Sequence, residues 1–146
     1  IAFTLDIPMI GIPTSRIFFE GARQETTADL YVTLQDARRM EAYTSVFSRD
    51  GKEISSDIPT ILDEVWKERL LRDAGEIVLT GTGAQKLSDM FEGVKNVNMI
   101  PAQPDAKFMG DLARTAFEQK EFENILLAEP NYVKSPNITQ PRPKTP

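Results

Sequence analysis

The chain has no cysteine and no histidine among its 146 residues. Without cysteine there is no disulfide framework and no thiolate to act as nucleophile or ligand. Without histidine, zinc sites built on it, a Ser-His-Asp triad and any imidazole general base are excluded too. The lack of cysteine fits a reducing cytoplasm. No apolar run approaches the roughly 20 residues that a membrane-spanning helix needs. Basic residues are also in short supply, 17 Lys and Arg against 22 Asp and Glu, for a net charge of −5. Phosphate contacts need clustered cations, so this is a poor general nucleic-acid binder. Only Arg38-Arg39 and, near the end, Arg142 and Lys144 form small basic groups.

What is present is ordinary for a globular domain: 40% apolar and 27% charged residues, in a chain long enough to bury a sizeable core. Ile1 to Leu5 reads as the end of a helix, and Pro8 to Ile12 as a short buried strand or extended segment. Pro13 and Thr14 open an amphipathic helix with Ile17, Phe18 and Gly21-Ala22 on one face. Alternation predicts a strand over Leu30–Leu34 and a second over Met40–Phe47, with Asp36 at the corner between them. Asp50-Gly51 is a strong hairpin signal, and a third strand is expected over Lys52–Ser56. Thr60 to Asp63 has the form of a variant capping box. The helix it opens carries Leu62, Val65, Trp66 and Leu70 at helical spacing and ends at Gly75. Ile77 to Leu79 is apolar throughout, as in a strand buried on both faces. Gly81-Thr82-Gly83 turns into a short helix to Phe91, Val94–Ile100 is another strand, and Pro104 opens a last helix. Met109, Leu112, Ala113, Ala116 and Phe117 form that helix's stripe. From Ser135 the sequence is Pro-rich and polar, as in a disordered tail.

Three strands followed by alternating helices and strands predict an α/β fold with a ribonuclease-H-like mixed sheet: an antiparallel meander, then β-α units. This is also the repeating lobe of the actin, heat-shock chaperone and sugar-kinase superfamily. Three places invite a functional reading. A two-metal nuclease needs several converging carboxylates. Asp36, Glu64 and Glu68 are the candidates, but the strand end at Thr80 to Gly83 carries no acid, so solvated surface carboxylates are the simpler reading. Gly81, Thr82 and Gly83 form either a nucleotide-facing turn, where backbone N–H groups meet an anion, or a tight turn that needs glycine for its own packing. Asp36, Arg38, Arg39 and Glu41 form either a docking patch or a structural ion-pair corner. Tyr43, Phe47 and Trp66 are read as core, with Trp66 largely buried. No catalytic residue and no metal ligand is assigned.

Four segments resemble the TsaB/YeaZ family. Ile7 to Thr14 is similar to its Pro-and-Gly segment before the helix. Asp36-Ala-Arg-Arg-Met-Glu-Ala-Tyr43 resembles its D-A-R-x-x-E-V-Y signature, with Ala42 in place of Val. Leu79 to Gly83 resembles its glycine turn, and Ala128-Glu-Pro-Asn-Tyr-Val-Lys134 its closing A-E-P-x-Y-L-R. The family's opening phosphate strand and G-P-G-S-F-T-G-like segment are absent. The resemblance therefore implies a second lobe alone: residues 1–27 a crossing segment and helix left from the first lobe, 28–134 the second lobe, 135–146 a tail.

What the resemblance implies for function is a non-catalytic partner subunit in the threonylcarbamoyladenosine modification of tRNA in the bacterial cytoplasm. Homologues of TsaD and TsaE would be its partners, and tRNA would be met only through their complex. Self-association through the front end, and adenine nucleotide bound only beside the missing lobe, are further expectations. The rival reading is a metal-dependent nuclease or nucleotide-hydrolysing enzyme on the same fold.

Overall fold

The computed structural model describes residues 2–72, 75–131 and 133. The Pro-rich tail lies outside the described residues. In chain order the elements are α1 (Ala2–Leu5), α2 (Thr14–Glu25), β1 (Leu30–Asp36), β2 (Glu41–Ser48), β3 (Glu53–Ile61), α3 (Glu64–Leu71), β4 (Ile77–Gly81), β5 (Val97–Pro101) and α4 (Met109–Glu118). Short 3-10 turns occupy Ala84–Leu87 and Ala106–Phe108.

The five strands form one sheet in the order β3-β2-β1-β4-β5. β1, β2 and β3 pair antiparallel, while β4 pairs parallel with β1 and with β5. This is the predicted ribonuclease-H-like mixed sheet. The central strands are covered on both sides, which is why β4 is buried throughout and its first three residues, Ile77 to Leu79, read as an unbroken apolar run. On one face Val32, Leu34, Ala42, Ile77 and Leu79 pack with Leu62, Leu87 and Phe91. On the other, Tyr31, Phe47 and Val78 pack with Phe19 and Ala22 of α2 and with Ala28. Residues 14–25 thus share a core with the sheet.

Several local expectations are corrected. β3 does not stop at Ser56. Asp57 takes a left-handed φ of 46°, its N–H bonds Ser45 Oγ at 2.9 Å, and the β2–β3 register shifts beside it. This bulge lets the strand run on to Ile61. Thr60 therefore belongs to the ladder, 2.7 Å from Thr44 Oγ1, and caps nothing. The cap of α3 is Asp63, whose carboxylate accepts the Trp66 N–H at 2.8 Å. Trp66 is largely covered, as expected, although not fully buried: it packs against the core, edge-on to Phe91 at 6.0 Å. Tyr43 is half-buried, whereas Phe47 is fully core. Residues 8–12 belong to no helix or strand, and none of them is fully buried. β5 is shorter than predicted, and α4 begins at Met109, after a turn capped by Asp105. Phe117 of α4 is exposed and meets Phe122 instead of the sheet.

Candidate functional site

β1 ends on Asp36 and β2 begins on Glu41, so Ala37 to Met40 form the tip of a hairpin at the carboxyl end of β1. Arg38 and Arg39 both lie in the left-handed region, with φ of 67° and 45°. That conformation costs an ordinary side chain about 1–2 kcal/mol, so neighbouring bonds must hold the tip. Asp36 Oδ1 accepts the Arg38 N–H at 2.7 Å. Ala37 N–H reaches the Glu41 carbonyl at 3.2 Å, and Glu41 N–H the Arg38 carbonyl at 3.1 Å.

A residue that the sequence reading did not single out closes the arrangement. Lys86, from the 3-10 turn after β4, pairs with Asp36. Its Nζ also donates to the carbonyls of Arg39 at 2.7 Å and Glu41 at 3.1 Å. One ammonium thus satisfies three acceptors of the corner. The only signal in the sequence was a lone lysine soon after the glycine turn, 47 positions from the arginine whose carbonyl it meets. The side chains of Arg38 and Arg39 are exposed.

The Lys86 hydrogen bond, followed by the Arg38 N–H, holds the Asp36 carboxyl below its ordinary value of 3.8. A carboxyl lowered in the folded state contributes stability that is fully present above its unfolded pKa. That stability is lost as pH falls through the lower folded value. Asp36 is nearly half exposed, so solvent screens the pair. Lys86→Met is expected to cost about 1–2 kcal/mol near neutral pH, chiefly through the two carbonyls left unbonded. Urea titrations near pH 7 and near pH 3 should show the gap to the parent narrowing in acid, as Asp36 is protonated.

The glycine turn abuts the same corner. Gly81 has a φ of +99°, and a Cβ there would lie 2.5 Å from the Leu34 carbonyl oxygen. The Gly83 N–H donates to that oxygen at 2.9 Å. Thr82 Oγ1 accepts the Asp36 N–H at 3.0 Å. The turn is therefore sewn to the end of β1, with both glycines buried. Of the proposed metal carboxylates, Asp36 is held by Lys86, Glu64 pairs with Lys67 at 3.3 Å in the first turn of α3, and Glu68 is exposed. Among the described residues no group of three or more Asp or Glu is placed to hold a metal ion.

Two cavities lie outside the bonds that hold the corner. One, of about 690 Å3, sits between α2 and α4 and includes Arg16, Glu20, Arg23 and Phe108 in its wall. Glu20 is buried there and paired with Arg16 at 3.2 Å and Arg23 at 2.6 Å, at helical spacing visible in the sequence. The other, of about 550 Å3, is bounded by Gln35, Tyr43, Asp57, Glu123 and Glu129.

No protein-family model matches the chain. It is 28% identical over 140 residues to the tRNA threonylcarbamoyladenosine biosynthesis protein TsaB of Escherichia coli (strain K12), covering 92% of this chain and 61% of that protein. Solved structures share the fold, two of them from this family's namesakes. YeaZ from Pseudomonas aeruginosa is 24% identical with a TM-score of 0.59, over 90% of this chain and 62% of that one. An uncharacterized protein from the same organism, with similarity to peptidase YeaZ, is 22% identical with a TM-score of 0.60, over 91% and 62%. The chain thus spans a little over three fifths of the length of these relatives. The resemblance to the TsaB/YeaZ family read from the four sequence segments is borne out.

Proposed function

We propose, from the chain's place in the TsaB/YeaZ family, that it serves in threonylcarbamoyladenosine modification of tRNA as a non-catalytic partner subunit in the bacterial cytoplasm. Its partners in this reading are homologues of TsaD and TsaE. The observation that carries it is the similarity to TsaB over 92% of the chain, joined to the same fold in the YeaZ structures. The chemistry of the chain supports a non-catalytic role. It has no histidine or cysteine, and its corner carboxylate is engaged by a lysine instead of facing a reacting group. Adenine nucleotide, in the same reading, binds only where a first lobe supplies the other half of the cleft. Among the described residues no helix is long and apolar enough to cross a membrane.

Depletion of the protein in its host, followed by mass spectrometry of tRNA nucleosides, tests the proposal. Threonylcarbamoyladenosine should fall on depletion and recover on re-expression. A level unchanged by depletion would refute the role. Metal-dependent cleavage of RNA by the purified protein, lost on Asp36→Asn, would return the enzyme reading.

A further inference from the structure

We propose that the Arg38–Arg39 tip of the β1–β2 hairpin docks onto a pair of carboxylates on a protein partner of this chain. The inference rests on the assembly reading above. Two successive arginines occupy backbone conformations that glycine or asparagine would adopt more easily. Nothing in the turn's own bonding requires arginine. The Arg38 N–H and carbonyl and the Arg39 carbonyl make the contacts, and any residue supplies those. The side chains themselves are exposed, and no ion pair among the described residues uses either guanidinium.

The natural intramolecular partner has been taken away. Asp36, two residues before Arg38, is occupied by Lys86 and by the Arg38 backbone N–H. Lys86 therefore does two things at once: it fixes the tip through the carbonyls of Arg39 and Glu41, and it keeps the Asp36 carboxylate from folding an arginine inwards. The result is a braced turn presenting two planar, permanently charged forks to solvent. Such forks bond carboxylates in pairs, and a rigid mount lowers the ordering cost of docking.

Carboxylates of a protein fit better than the backbone of RNA. Asp36, Glu41 and Lys86 flank the two arginines, so the local charge is close to balanced, and the whole chain is net negative at −5. A polyanion gains from a broad positive field, which is missing here. A discrete pair of carboxylates needs only the two forks.

The test uses the full chain and purified TsaD and TsaE homologues of its host, with binding of each followed by calorimetry. Arg38→Glu with Arg39→Glu should weaken one of the two partners about tenfold or more. Lysine at both positions, which keeps charge but not the fork, should weaken it less. Arg39→Gly suits the turn and controls for folding, with circular dichroism on every variant. Undiminished binding of both partners by the double glutamate variant overturns the proposal. So does a loss confined to binding of host tRNA, which would make the tip an RNA contact. If the parent binds neither partner, the assembly reading fails and this surface falls with it, and that failure is seen before any variant is made.

Discussion

Phe19→Ala should remove about 3–5 kcal/mol of stability, the usual loss when a buried aromatic is truncated. The ring is fully buried between the helix and the sheet. It stacks on Phe47 at 4.8 Å and meets Tyr31 edge-on at 5.1 Å. Arg16 and Arg23 place their guanidiniums 5.0 and 5.4 Å from its centre while sharing Glu20. Truncation would open a cavity under α2 and strip the ring from beneath two cations, so the arginine pair would lose its seat along with the packing. A domain of this size has roughly 5–15 kcal/mol in hand, and such a loss should move the urea midpoint sharply. Phe19→Leu fills most of the space and should cost about 1–2 kcal/mol. A change below about 1 kcal/mol for the alanine variant would mean that α2 does not dock on the sheet as described.

Gly81→Ala should cost roughly 2–5 kcal/mol, the sum of an unfavourable backbone conformation and a forced overlap. The added methyl would meet the Leu34 carbonyl oxygen, a backbone atom that cannot step aside. The same oxygen accepts the Gly83 N–H, so a shift would also break the seam between β1 and the turn. Gly83 makes the informative contrast. Its φ is not positive, and a Cβ there would lie 3.2 Å from the Leu34 Cβ and 3.3 Å from its carbonyl oxygen. A small relaxation accommodates that, and Gly83→Ala should lose less than about 1 kcal/mol. Thermal or denaturant unfolding of the two variants measures both. Equal tolerance at the two positions would show that the turn is not packed on β1. Its glycines would then have to be explained by a ligand.

The two predictions differ in how far the sequence foresaw them. The helix over residues 14–25 was legible from its period, but its expected inward face stopped at Ile17, Phe18 and Gly21-Ala22. Phe19 was missed because one stripe of periodicity cannot show that a helix beside a twisted sheet is covered over a wider arc. The glycine turn was seen, and both explanations for it were kept. Only the position of the Leu34 carbonyl, brought alongside by parallel pairing of β1 and β4, shows what Gly81 is near.

Patterns complete within a few residues were readable from the sequence alone. Alternation in β1 and β2, the Asp50-Gly51 turn and the apolar run of β4 each report which faces are buried. Together they determined the strand order of the meander and the ribonuclease-H-like class. The four motifs carried the resemblance to the TsaB/YeaZ family for the same reason, since a motif is local text. What joins residues distant in sequence was decided by tertiary structure. The bulge at Asp57 depends on Ser45 across the ladder. The true extent of β3 follows from it, and Thr60 is thereby drawn from a cap into a strand. The brace on the arginine tip depends on Lys86, 47 positions from Arg39. A lysine has no preferred local geometry that would announce such a role. Its ammonium finds three acceptors only because the sheet brings the end of β1 and the turn after β4 side by side.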